Sequence, residues 1–176
     1  MKNQAVLQSI SSLSPEVTGT RARLGVVAYV LEGYAQRGVF RGFSQEVRST
    51  KAIFRLLWHR ERVFELVFEP EKNTLRIASV LPNMGAEMYR NLQEFINVRL
   101  TSDLPDHRRI DPRKVQIQPT RRSGNVALTL RILDGDDEYA VRKFIHLVHE
   151  IFLTFLLDGR YYDYMVENFD LDPDRI

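Results

Sequence analysis

The hydrophobic positions of this 176-residue chain change period several times, and the order of those periods predicts the fold. A helical period comes first, then strand-like alternations in close succession, a second helical period, a hairpin and a long apolar helix. In βαβ units, strands would alternate with helices. Strands gathered in hairpins indicate instead an α+β domain, with an antiparallel sheet of about five strands packed against helices in the order α-βββ-α-ββ-α.

The first helical period predicts a helix over about residues 21–37. Its apolar stripe is formed by Leu24, Val27, Ala28, Leu31 and Tyr34. Thr20 is a suitable N-cap and Gly38 a suitable stop. The polar residues 1–19 are predicted to form a flexible N-terminal arm, and residues 20–176 a single α+β domain that ends in a short helix after Gly159.

The alternating segment 51–81 predicts a meander of three strands, with turns near residues 59–61 and 69–73. Residues 40–47 are a candidate for one more short edge strand, although Gly38 and Gly42 weaken that candidate. A second helix is expected to end near Leu100.

A second hairpin is predicted over residues 115–132, with its turn at residues 123–125. Pro119 lies inside the first strand of this hairpin and cannot donate to a ladder, so the strand is expected to be an edge strand or to contain a bulge. The acidic residues 134–138 open the last long helix, whose apolar run 144–157 covers more than one side.

The composition narrows the class of protein but does not indicate a particular reaction or ligand. Hydrophobic residues make up 44% of the chain and charged residues 27%, as in globular proteins. The chain has no cysteine, no apolar run of membrane-spanning length and no signal-peptide pattern, so we expect a cytoplasmic protein without membrane contact. The net charge of +2 gives little long-range attraction for nucleic acid.

The element order and the apolar run 144–157 resemble the type III secretion chaperone-like fold, which includes the YbjN-like family of bacterial proteins. The resemblance covers about residues 20–158. It implies a small cytoplasmic homodimer that binds segments of other proteins. The slightly basic composition and the additional aromatic segment 161–169 favour the YbjN-like side of this group.

Two sets of apolar residues are candidates for such binding. The first set is one stripe of the long helix, predicted to be either core or a dimer interface: Ile145, Val148, Phe152 and Phe155. The second set is formed by strand aromatics that would line a groove or the core: Trp58, Phe64 and Phe68. The predicted function is therefore a non-enzymatic, chaperone- or adaptor-like protein-binding module that acts as a homodimer on an unknown client.

A basic cluster offers an alternative function in nucleic-acid binding. It consists of Arg108, Arg109, Arg113, Lys114, Arg121 and Arg122. The cluster contains no aromatic residue on which a base could stack, which favours a solvated face or a contact with the acidic tail of a second subunit.

No motif points to catalysis, a cofactor or a metal. His146, His149 and Glu150 form H-x-x-H-E, whereas zinc-protease helices carry H-E-x-x-H. These residues are expected to be polar positions on an apolar helix. His59 is expected to be solvated in a hairpin turn, and we predict no enzymatic activity.

Overall fold

The computed structural model describes residues 15–101 and 103–170, which form an α+β fold with an antiparallel sheet. The helices of this part are α1 (Pro15–Gln36), α2 (Ala86–Val98), α3 (Asp137–Glu150) and α4 (Tyr162–Phe169). The strands are β1 (Gly42–Val47), β2 (Ala52–Leu57), β3 (Val63–Glu69), β4 (Thr74–Leu81), β5 (Val115–Arg122) and β6 (Asn125–Ile132). The predicted α+β class with an antiparallel sheet is confirmed, and the sheet has six strands where about five were predicted.

The sheet has the order β1-β2-β3-β4-β6-β5, and all neighbours are antiparallel. The sixth strand is β1, the candidate edge strand of the sequence. Gly42 lies opposite Leu57, where a Cβ on residue 42 would come within 3.2 Å of the Leu57 Cβ. β5 is the other edge strand, as Pro119 predicts.

Helices cover one face of the sheet. One row of paired residues crosses the covered face and is almost fully buried: Phe54, Leu66, Ile77 and Leu128. The opposite face carries Arg55 and Glu65, which pair at 3.4 Å and are about half exposed. The alternation of apolar and polar residues therefore reports correctly which side of each strand meets the helices.

The start of α1 differs from the predicted boundary. The helix includes residues from Pro15 onward, so residues 15–19 belong to it and not to an arm. Proline is compatible with a first helical turn because no intrahelical partner is needed there for its missing N–H. The rest of the predicted arm, residues 1–14, lies outside the described residues. Gly38 follows the helix with a φ of 75°, as expected for a stop.

Helix α3 begins at a side-chain cap and continues into a wider turn. The Asp136 carboxylate accepts a hydrogen bond from the Tyr139 N–H at 3.0 Å. Residues 151–155 form a π-helical turn, in which the Leu156 N–H donates to the Ile151 carbonyl oxygen at 2.9 Å. Within the described residues, no helix is both long and apolar enough to span a membrane.

Candidate protein-binding edge of the sheet

The predicted interface stripe on the long helix is core. Ile145, Val148, Phe152 and Phe155 are exposed by 2, 0, 2 and 6%. The Phe152 ring meets the Phe64 ring edge-on at 5.7 Å and the Phe169 ring at 5.9 Å. The stripe is therefore covered by residues of the same chain and offers no free surface to a partner.

The predicted groove aromatics are core as well. Trp58, Phe64 and Phe68 are exposed by 7, 1 and 0% and lie on the face of the sheet that the helices cover. Of the two locations that the sequence leaves open, the structure selects the core for these residues and for the helix stripe.

The basic cluster is largely neutralised within the chain. Arg109 pairs with Asp106 at 2.8 Å, Arg113 with Asp111 at 2.9 Å, and Lys114 with Asp136 at 2.9 Å and Asp134 at 3.3 Å. Arg108 pairs with Glu150, and the Arg121 Nε donates to the Met84 carbonyl oxygen at 2.6 Å. Only Arg122 has no such partner among the described residues. A set of cations that are paired in this way attracts phosphates weakly.

Glu150 of the H-x-x-H-E sequence is the centre of a buried ion cluster. Its carboxylate accepts hydrogen bonds from the Arg99 Nε at 2.5 Å and from the Arg108 Nε at 2.9 Å. Burial alone would raise the pKa of Glu150, but the two arginines outweigh it and lower the pKa. The carboxylate thereby holds the loop before β5 against the end of α3, which is a structural role.

His59 is half-buried against the core and is not the solvated turn residue that the sequence predicts. Arg60 and Glu61 have φ angles of 56° and 55°, and this tight turn lays the His59 ring on the Phe152 ring, with centroids 4.6 Å apart. The His149 ring is 5.2 Å away. The buried His59 Nε2 and His149 Nδ1 have no hydrogen-bond partner among the described residues. Burial lowers the pKa of His59 to about 4 and also lowers that of His149.

The outer edge of β5 is blocked at its middle. The Leu133 N–H donates to the Lys114 carbonyl oxygen at 2.8 Å, and by the alternation of the antiparallel register the backbone of Pro119 points away from β6. Pro119 has no N–H, and its carbonyl oxygen accepts a hydrogen bond from the Tyr89 hydroxyl at 3.0 Å. One donor is missing and one acceptor is occupied, so a further strand cannot form a continuous ladder on this edge.

Within the part of the chain that the structure describes, the outer edge of β1 has no such block. The Arg48 N–H donates to the Lys51 carbonyl oxygen at 2.8 Å, and pairs with and without hydrogen bonds then alternate along the strand. By this alternation, the backbone N–H and C=O groups of Phe43, Gln45 and Val47 point away from β2. Among the described strands, β1 pairs only with β2. The edge therefore presents donors and acceptors to which another strand could bind.

A groove of about 630 Å³ lies beside the Val47 end of this edge. It is lined by Thr20, Arg21 and Leu24 of α1, by Val47, Arg48, Ser49 and Thr50 of the first hairpin, and by Glu71. Val47 is 58% exposed and Leu24 is buried, so the lining combines apolar side chains with hydroxyl and charged groups. The Gln45 Nε2 donates to the Glu32 Oε1 at 3.0 Å, which ties the middle of β1 to α1.

Sequence reasoning found β1 only as a candidate and did not find the difference between the two edges. The signal for the blocked edge was present in Pro119, which the sequence places at an edge or a bulge. The hydroxyl of Tyr89 reaches Pro119 from α2, 30 residues earlier, and no local pattern reports that contact.

Comparisons with protein-family models, curated proteins and solved structures find no match to this chain.

Proposed function

We propose that this protein is a non-enzymatic protein-binding module, chaperone- or adaptor-like, that acts as a homodimer and binds an extended client segment along β1. The observation that carries this proposal is the difference between the two edges of one sheet. β5 is closed by Pro119 and Tyr89, whereas the outward backbone groups of β1 have no strand partner among the described residues. In strand addition, backbone hydrogen bonds supply affinity and pockets for alternate side chains supply specificity.

The groove supplies such a pocket. Because Val47 lines it and belongs to β1, a strand paired with β1 would place its helix-side residues against Leu24 and the hydroxyls of Thr20 and Ser49. Arg48 is paired with Glu46 at 2.8 Å, which lowers the pKa of the Glu46 carboxyl and leaves little net charge near the end of the strand. We therefore expect a client segment with mixed apolar and polar side chains and weak salt dependence.

Nucleic-acid binding has less support, because five of the six residues in the basic cluster have partners within the chain. Salt dependence separates the two functions. A complex that depends on several phosphate contacts loses affinity by ~10³ or more between low and physiological salt. A ladder of backbone hydrogen bonds on β1 would change little over that range.

The experiment uses peptides selected from a displayed random library against the wild-type protein. Gln45→Pro removes an N–H that points away from β2, so it should weaken binding about ten-fold without removing a ladder bond to β2. Gln45→Ala is the matched control, because it also loses the bond to Glu32 but keeps the backbone N–H; its affinity should stay within about two-fold of wild type.

Amide hydrogen exchange supplies a second readout. Bound peptide should slow exchange at Phe43, Gln45 and Val47 and leave Ile117 on the blocked edge unchanged. Peptides that bind Gln45→Pro as tightly as wild type would contradict strand addition, and so would a library that yields no binder.

A further inference from the structure

The solvent side of α1 has no charged residue at its centre over three turns. At 3.6 residues per turn, the side chains on this face lie within about 60° of Tyr29. Between residues 22 and 33 they are Ala22, Gly25, Val26, Tyr29, Gly33 and, at the margin toward β1, Glu32. Tyr29 is 76% exposed and Val26 40% exposed. The outer side of a helix that faces water normally carries charged and polar residues, so this face lacks the composition expected of a solvated surface.

The inner side of the same helix is buried in the core of the chain. Leu24, Val27 and Leu31 are exposed by 5, 0 and 0% and face the sheet and α3. Helix α1 is thus apolar on two opposite sides, and the protein's own core accounts for only one of them. A helix that is apolar all round is normally covered all round.

The charges that border the outer face complement each other in one arrangement. Arg21 and Glu32 are eleven residues apart, which is three turns, so both lie on the flank of α1 that borders β1. Arg21 has no carboxylate partner among the described residues. In two antiparallel copies of α1 related by a two-fold axis, the same flank of each helix meets, and Arg21 would lie opposite Glu32 of the partner subunit.

We infer that the outer face of α1 is the homodimer interface, with a second copy of this chain as its occupant and the two-fold axis near Val26. In that register, the Tyr29 ring would lie over Ala22 of the partner subunit and Gly25 of the partner subunit. A Cβ at Gly25 would meet nothing within 4 Å in the single chain, so there is room for the ring. The inference rests on the homodimer of the proposed function. The centre of the face points away from the sheet and only its flank with Arg21 and Glu32 borders β1, so the outward backbone groups of β1 stay available for a client.

The first test measures mass by sedimentation or light scattering over a range of concentrations. Wild type should be a dimer. Tyr29→Glu should weaken the dimer at least ten-fold, because the two-fold axis places one new carboxylate on each side of the interface. Tyr162→Glu, the same change at another exposed helical tyrosine, is the control and should leave the dimer intact. Since Tyr29 is exposed in the single chain, the denaturation midpoint of Tyr29→Glu should match wild type at a protein concentration where both are monomers.

The second test examines the register. Arg21→Glu alone places like charges opposite one another twice, and so does Glu32→Arg alone, so each variant should dimerise several-fold more weakly than wild type. A mixture of the two variants restores two attractive pairs and should form a heterodimer more tightly than either variant pairs with itself. A mixture that associates no better than its components would overturn the antiparallel pairing.

The outcomes separate the inference from the proposed function. A wild-type monomer at high concentration would overturn both the homodimer and its interface, while peptide binding at β1 would still be judged by Gln45→Pro. A stable wild-type dimer that Tyr29→Glu leaves intact would overturn only the assignment of this face.

Discussion

Arg23 and Asp137 form a two-point ion pair that ties α1 to the first turn of α3. The Arg23 Nε lies 2.8 Å from the Asp137 Oδ2, and the Arg23 Nη2 lies 2.7 Å from the Asp137 Oδ1. The Arg23 Nη1 also donates to the Pro70 carbonyl oxygen at 2.8 Å, so one guanidinium joins three parts of the fold. Asp137 is only 5% exposed, and its hydrogen bonds raise the pKa of Arg23.

Arg23→Ala should lower the free energy of unfolding by roughly 3 kcal/mol, because it leaves the Asp137 carboxylate buried without its partner. Arg142→Ala is a suitable control. It breaks the pair with Glu138 on the exposed surface of α3 and should cost about 0.5 kcal/mol or less. Denaturant unfolding measures both values, and equal costs would show that the Arg23 pair behaves as a surface pair.

Leu128→Ala should cost roughly 2–5 kcal/mol, because Leu128 is fully buried under the helices and its removal leaves a cavity. Thr129→Ala changes the next residue, which faces the open side of the sheet, and should cost less than about 1 kcal/mol. A denaturation midpoint of Leu128→Ala equal to that of wild type would contradict the placement of Leu128 on the buried side of β6.

Phe152→Glu should give an unfolded or insoluble chain, because it places a carboxylate among the aromatic rings of the core. The matched control is Leu153→Glu, one residue further in the same wide turn, where the side chain is 50% exposed. This control should be soluble and fold with a midpoint close to wild type. Recovery of Phe152→Glu as a folded monomer would instead restore the helix stripe as an interface.

The free energy of unfolding should fall as the pH is lowered from about 6.5 toward 4. Above pH 6.5, His59 is neutral in both states. Between pH 6.5 and about 4, His59 binds a proton in the unfolded chain but not in the folded chain, since burial lowers the folded pKa of His59 to about 4. His59→Phe keeps a ring against Phe152 and should flatten the slope in this window. An unchanged slope in His59→Phe would assign the pH dependence to other groups.

Most of the sheet could be predicted from the sequence, because the alternation of residues within each strand shows which side of that strand is buried. Phe64, Leu66 and Phe68 are buried, whereas the residues that alternate with them in β3 are at least partly exposed. Pro119 predicted an edge or a bulge from its missing N–H alone, and β5 is an edge strand. Such signals are local, since they depend on residues two positions apart in one strand.

The candidate sites could not be predicted because their partners are distant in sequence. Arg108 pairs with Glu150, 42 residues away, and Lys114 pairs with Asp136, 22 residues away. The local sequence therefore shows a cluster of basic residues but not the carboxylates that pair with them. Phe152 appears free on its helix until Phe64 and Phe169 are placed against it. The uncharged outer face of α1 was visible in the spacing of Val26 and Tyr29, but only exposure in the folded chain distinguishes that face from the inner one.

The two unequal edges of the sheet also limit how copies of this protein can assemble through their strands. A sheet with two open edges can add copies without end, as in a fibril. Here Pro119 and Tyr89 terminate growth at β5, so any joining of sheets would have to use β1 on both copies. Such a pair has no open edge left. Strand pairing by itself would therefore join at most two chains, however high their concentration.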